Sequence, residues 1–173
     1  RQTLIGILAH RVLQTWNFQD DPEKLSSWIE AVCQGEIFDQ SVEDPQSLVN
    51  ELCDMFNAFV HTASYAILCQ AEILGREVPI TVPWEAKHLS EAVDKNDMPL
   101  VLHGVIDVVY RWENQIWMAD YKTTSDNPDT LEKVVANYRV QAIAYREALQ
   151  GVFVDDLVRA KLIFVRNGSS VEV

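Results

Sequence analysis

Basic residues are scarce in this sequence. Fourteen Lys and Arg stand against 26 Asp and Glu, for a formal net charge of -12. Taken alone, that balance argues against a free-standing nucleic-acid binder, because phosphate contact rests on Lys and Arg. The deficit is uneven: residues 1–100 hold 16 acidic and 6 basic residues, residues 101–173 only 10 and 8. A polyanion is better tolerated in the second stretch, above all beside a divalent metal. Cysteine is sparse too. Cys33, Cys53 and Cys69 are odd in number, widely spaced and set in apolar helical patterns, and no C-x-x-C pair occurs. A zinc or dithiol site is thereby excluded, and we expect buried free thiols in a reducing cytoplasm. No apolar run approaches the roughly 18 residues of a membrane span, so we expect a soluble chain with no membrane partner. With six glycines and no glycine-rich phosphate loop, an ATP site is not expected in this segment. The first residue is Arg1 and no signal-peptide pattern follows, so the numbering is expected to start inside a longer polypeptide.

What remains is globular. Hydrophobic residues at 48% and charged residues at 23% over 173 residues suffice for a sizeable core. Residues 3–16 carry Leu4, Ile5, Leu8, Val12, Leu13 and Trp16 at helical spacing. Asp20-Asp21-Pro22 starts a second helix running to Gln34 and stopping near Gly35. Asp44-Pro45 starts another pattern reaching Leu74, too long for one helix and expected to break near His61-Thr62. Gly75 is expected to end this helical part. The period then falls to two. Strands are predicted at Glu77–Val82, Leu100–Trp112, Ile116–Lys122, Val158–Arg166 and Val171–Val173, with an irregular excursion over 83–99. A helix is predicted over Leu131–Gln150, closing at Gly151. The reading is one α/β (α+β) domain: an N-terminal helical region, 1–75, and a core, 76–173, with a mixed central sheet flanked by helices.

The chemistry gathers on one hairpin. Glu113-Asn114 reads as its turn. If the loop is centred there, Asp107 lies opposite Asp120, with Cβ atoms about 5 Å apart, and Lys122 shares their face. An odd-length loop would instead put Asp107 on the opposite face. Two bare carboxylates so close repel until one holds a proton; a hard divalent cation removes that cost. An Asp and a Lys two apart at a strand end are, by themselves, an ordinary solvated pair. Asp107 is different, because it sits mid-strand in Gly104-Val105-Ile106-Asp107-Val108-Val109, where an unpartnered charge is expensive. Paired carboxylates also serve glycosidases, but there the Lys has no task.

Gly104-x-x-Asp107, Asp120-Tyr121-Lys122-Thr123 and Gln141-x-x-x-Tyr145, in that order, resemble the PD-(D/E)xK nuclease superfamily, in particular its RecB-type branch with motifs GxxD, DYKT and QxxxY. His10 in Gly6-Ile7-Leu8-Ala9-His10 resembles the histidine that this branch carries on an early helix, and Glu77 resembles the acidic residue entering its first core strand. The chain looks most like the C-terminal nuclease domain of AddA/RecB-like helicase-nucleases of the UvrD/Rep type. Relatives with an iron-sulfur cluster use cysteines after the core; none follows Cys69 here, so that cluster is not expected.

The resemblance implies a restriction-endonuclease-like core and a metal-dependent deoxyribonuclease. It implies that His10, Asp107, Asp120 and the Tyr121 carbonyl hold Mg²⁺ or Mn²⁺, the imidazole making Mn²⁺ use plausible. Lys122 would steady the attacking water or a phosphate oxygen. Gln141 would orient Lys122 or touch the DNA backbone. Glu77, Tyr145, Thr123 and Arg139 are expected nearby, as supports or DNA contacts, with Tyr138, Thr124 and Arg146 as further phosphate contacts. The implied substrate is DNA, chiefly single strands fed by helicase domains on the same polypeptide. An AddB/RecC-like partner protein, double-strand-break repair and a bacterial cytoplasmic, nucleoid-associated location complete the expectation. The alternative is a nuclease fold without activity, serving as a scaffold or strand guide. His61, His88 and His103 form no spaced metal set; His103 shares the face of Asp107 by alternation, and packing is its expected role.

Overall fold

The computed structural model describes residues 2–37, 44–84, 100–124 and 128–173. Helix α1 spans Gln2–Thr15, α2 Leu25–Ile37, α3 Pro45–Phe59 and α4 Ala63–Gln70. Their starts follow local chemistry. Asp21 caps a short 3-10 turn, Pro22–Lys24, by accepting from the Glu23 amide, and Asp44 accepts from the Ser47 amide at 3.0 Å with Pro45 behind it. The long helical pattern breaks where expected: Thr62 Oγ1 donates to the Phe59 carbonyl at 2.7 Å and accepts from the Tyr65 amide at 3.3 Å.

Five strands follow: β1 Glu72–Trp84, β2 Leu100–Trp112, β3 Gln115–Lys122, β4 Val158–Phe164 and β5 Ser170–Glu172, with α5, Pro128–Val152, between β3 and β4. They form one sheet in the order β1-β2-β3-β4-β5, antiparallel except for the parallel β3–β4 pair. A helical crossover is what a parallel pair requires, and α5 supplies it. The sheet is therefore mixed and flanked by helices, consistent with a restriction-endonuclease-like fold.

Each sheet face carries its own core. Ile5, Leu8, Phe56, Phe59, Tyr110, Ala119, Tyr121 and Ile163 pack under α1–α4. Ile106, Met118, Ala142, Tyr145, Leu162 and Phe164 pack under α5. The first core draws on both expected segments, 1–75 and 76–173, so the helices and the sheet close on one another.

Three expected boundaries are corrected. Gly75 does not end a helix: β1 already begins at Glu72, and the β1–β2 register shifts between Ile73 and Gly75. That bulge breaks the two-residue period on which strand reading depends. Gly35 lies inside α2 and Gly151 inside α5; both are open, with nothing within 4 Å of an added Cβ, so neither is forced into a terminating conformation. Most of the expected excursion, 85–99, and the loop residues 125–127 lie outside the described residues.

Candidate functional site

The β2–β3 hairpin sets the site's frame. Glu113 and Asn114 both have positive φ, 50° and 57°, the two-residue turn whose twist matches the flanking strands. The register follows from that turn: Trp112 pairs Gln115, Tyr110 pairs Trp117 and Val108 pairs Ala119. Asp107 and Asp120 are the next step. There the ladder stops, and the Asp107 side chain takes over: its Oδ2 accepts the Tyr121 amide at 2.6 Å. Ile106 packs under α5 but Val108 packs under α1–α4, so side-chain alternation also breaks at Asp107. A charge that is mid-strand and only 8% exposed is held because the backbone itself donates to it.

β1 has a matching irregularity. Arg76 pairs Val108 and Val78 pairs Ile106, which puts Glu77 beside Asp107 in the same register. Glu77 has φ +49, a conformation that costs a residue with a Cβ about 1–3 kcal/mol unless its surroundings impose it. Glu77, Asp107 and Asp120 thus form a row across three adjacent strands.

α1 closes the row from above. His10 Nε2 lies 3.0 Å from the Tyr121 carbonyl. A carbonyl only accepts, so Nε2 carries the proton. Nδ1 lies 3.3 Å from Asp107 Oδ1. Burial pulls the imidazole pKa down most, but the Asp107 hydrogen bond and the charges of Asp107 and Asp120 leave it raised overall. His10, Glu77 and Asp107 each present one ligand atom, all within 4.8 Å of one another.

Asp120 and Lys122 approach from the other face. Asp120 Oδ2 is in an ion pair with the Lys122 ammonium, and Lys122 Nζ sits 5.3 Å over the Tyr138 ring of α5. Burial first, then Asp107, raises the Asp120 pKa against the pull of Lys122. Burial and then Asp107 likewise raise Glu77. These carboxyls resist ionising together, and a divalent cation removes that conflict. Oxygen donors with one imidazole fit a hard divalent cation.

The other expected residues fall into two groups. Gln141 and Tyr145 share one face of α5 as their spacing predicts, but they spend themselves on each other: Gln141 Nε2 donates to Tyr145 Oη at 2.5 Å. Tyr145 is 1% exposed and packs on Gly104, where an added Cβ would lie 1.4 Å from its hydroxyl oxygen. The first motif's glycine seats the last motif's tyrosine, and the ring that lies against Lys122 is that of Tyr138, 4% exposed. Thr123 gives its carbonyl to Arg166 Nε at 2.6 Å, while Arg166 Nη2 binds Glu51 at 2.9 Å, so β4's end fixes the chain just past Lys122. Arg139, Arg146 and Thr124 are exposed. His103 is also exposed, a correction to its packing role; its Nδ1 faces Thr81 Oγ1 across the β1–β2 ribbon at 3.1 Å. His88 lies outside the described residues.

The sequence reading missed Arg76. Its Nη1 donates to the carbonyls of Leu13 at 3.2 Å, Gln14 at 3.0 Å and Trp16, the orphan acceptors at the end of α1, while its guanidinium lies 5.0 Å from the Phe18 ring centre. One residue before Glu77, it ties the bulged strand to the helix that carries His10. A lone Arg in a strand gives no sequence signal of this task.

Comparison with known proteins agrees with this geometry. The family model of the PD-(D/E)XK nuclease superfamily matches residues 1–170. The A-type subunit of the ATP-dependent helicase/nuclease of Staphylococcus carnosus is 27% identical over 172 residues, 95% of this chain and 14% of that protein. The proteins of the same name from Enterococcus faecalis and Levilactobacillus brevis are each 26% identical, over 98% and 99% of this chain and again 14% of their own length. The chain thus spans about one seventh of the curated relatives it matches. With Asp107, Asp120 and Lys122 on neighbouring strands of a mixed sheet and a family match over nearly its full length, the chain belongs to the PD-(D/E)XK nuclease superfamily and is related to the A-type subunits of ATP-dependent helicase/nucleases.

Proposed function

We propose that this chain is a metal-dependent deoxyribonuclease domain that hydrolyses phosphodiester bonds, chiefly in single-stranded DNA. One observation carries the reading: His10, Glu77 and Asp107, from a helix and two strands, bring ligand atoms within 4.8 Å of each other beside the Asp120–Lys122 pair. Asp107, Asp120, His10 and the Tyr121 carbonyl would hold Mg²⁺ or Mn²⁺, and Glu77 stands close enough to join them. When bound, such a cation acidifies a water and neutralises charge gathering on the scissile phosphate.

The chain's own residues do the rest. Asp120 holds the Lys122 ammonium, with the Tyr138 ring beneath it. From there the ammonium donates to the attacking water or to a non-bridging phosphate oxygen, where charge develops in the transition state. The lysine is held in an ion pair with Asp120, so its task is positioning and electrostatic rather than that of a general base. The water oxygen bonds to phosphorus as it releases a proton to solvent, the opposite P–O bond breaks in line, and the leaving oxygen takes a proton from solvent. Tyr145, seated on Gly104, holds α5 against β2 behind this centre, and Gln141 donates to its hydroxyl.

The setting is part of the proposal. Relatives carry the helicase/nuclease name over a far longer chain, and a motor on the same polypeptide would hand single strands to this site in double-strand-break repair, with an AddB/RecC-like partner protein and a cytoplasmic, nucleoid-associated location. A net charge of -12 then costs little, because a tethered strand arrives at high effective concentration. Among the described residues no helix is long and apolar enough to cross a membrane. The test is nicking of labelled single-stranded DNA with Mg²⁺ or Mn²⁺ by the wild type, Asp120→Ala and Lys122→Ala. Cleavage by the wild type alone supports the reading; equal activity in all three refutes it, and no cleavage by folded wild type leaves the scaffold role.

A further inference from the structure

We propose that a groove along the outer face of α1 receives a nucleobase, that of the nucleotide next to the scissile phosphate; the inference rests on the nuclease reading above. The groove is shallow and open to solvent, with a volume of about 570 Å³. Thr3, Ile7 and Gln14 line it, with the Arg11–Glu36 pair and with His10 and Glu77 of the row described above. It therefore opens onto the row of candidate ligands. Positions 3, 7, 10 and 14 make one helical stripe, while Ile5, Leu8 and Val12 face the core. Ile7 is 55% exposed, an apolar side chain in an otherwise polar stripe. A single exposed Ile on a convex surface needs no explanation; this one lines a concavity that meets the site.

Charge decides which part of a nucleotide fits. The one guanidinium lining the groove among the described residues, that of Arg11, is already spent: Nε binds Glu36 Oε1 at 2.9 Å and Nη1 binds Gln14 Oε1 at 2.7 Å. Glu36 and Glu77 add two carboxylates against that one guanidinium. The cation site takes the scissile phosphate, and the rest of the groove keeps no unpaired guanidinium for a second one. A neutral heterocycle meets complementary groups. Ile7 offers contact to a ring face, carboxylate oxygens accept from ring N–H and amino groups, and the Thr3 hydroxyl and Gln14 amide nitrogen donate to ring carbonyls. The scissile phosphate then lies at the row of candidate ligands, beside the Asp120–Lys122 pair. No feature of the groove selects one base, so recognition is of a base as such.

The test uses the full 173-residue chain and one single-stranded oligonucleotide whose cut position has been mapped. A single abasic nucleotide is stepped across the cut. Without an aromatic platform the contact is worth less than a stacked base, so kcat/KM should fall about fivefold to tenfold, mostly through KM, when the gap adjoins the cut on one side. Gaps elsewhere should leave the rate unchanged. Ile7→Glu should weaken the intact substrate by a like factor and lose the response to the gap, with Ile7→Ala in between; the position is exposed, so folding is preserved. Fluorescence anisotropy in EDTA, with the same oligonucleotides, should show the same pattern in dissociation constants. Cleavage indifferent to every gap, or an unchanged response in Ile7→Glu, overturns the groove inference and leaves the nuclease reading standing. No cleavage of any substrate by the folded wild type takes both down.

Discussion

The two faces of the sheet contribute to the site in different ways. On the α1 side, His10 and Glu77 are held by long-range devices: a bulge in β1, a left-handed Glu77 and the Arg76 clamp on the end of α1. On the α5 side, Asp120, Lys122 and Tyr138 are held by a regular strand, a helix at ordinary spacing and the seating of Tyr145 on Gly104. Asp107 stands between, at the point where the β2–β3 ladder ends. The α1 side carries the strain and the ligand cluster; the α5 side carries the regular packing and the cation. Metal affinity should therefore respond mainly to changes on the first face, and fold stability to changes on the second.

The largest expected effect breaks both sides at once. Asp107→Asn keeps the size of the side chain but removes the charge shared by His10, Glu77 and Asp120; single-strand cleavage should fall at least about 10³-fold, read as kcat/KM. Lys122→Ala tests the α5 side alone. It should lower kcat by about 10²- to 10³-fold, as for a removed transition-state donor, with Mn²⁺ affinity nearly unchanged. Arg76→Gln tests the α1 side alone. Freed from three carbonyls, the end of α1 should loosen and metal affinity fall about tenfold to a hundredfold, as for lost support behind a ligand; Mn²⁺ titration reads it, and a loss of thermal stability with affinity intact would break the comparison.

Gly104→Ala is the stability counterpart. The added methyl collides with Tyr145 unless α5 shifts, and overpacking of this kind costs about 1–3 kcal/mol; denaturant midpoints check it, and Gly104→Ala combined with Tyr145→Phe should recover little, since the ring as well as the hydroxyl is in the way. The smallest effect sharpens the α1 side. Cys33 is 1% exposed, and burial pushes its thiol up to about 11, so near pH 8 it should react with a thiol reagent far more slowly than an exposed cysteine. Prompt labelling would show that the helical core under α1–α4 opens.

How far the sequence alone reached follows the same division. The hairpin was legible because a two-residue turn fixes the register, and from it the Asp107–Asp120 step follows arithmetically. The helix break at Thr62 was legible because its hydroxyl is a local cap. Motif order pointed to Gln141 and Tyr145 as well. Their actual contact was not legible, because Tyr145 meets Gly104 only after α5 folds back over the sheet. β1 misled the reading at Gly75, since a bulge erases the alternation by which strands are recognised. Arg76 was invisible for the same reason: its partners are backbone carbonyls some sixty residues away in sequence, and carbonyls leave no trace in residue type. Local turn and cap chemistry is written in the sequence; tertiary clamps on the backbone are not.

The central claim is that His10, Asp107, Asp120 and the Tyr121 carbonyl, with Glu77 beside them, form one divalent-cation site. Isothermal titration of Mn²⁺ into the wild-type chain and into Asp107→Asn tests it most directly. The account predicts saturable binding by the wild type that Asp107→Asn abolishes. Equal binding by both proteins, or none by a folded wild type, would contradict it.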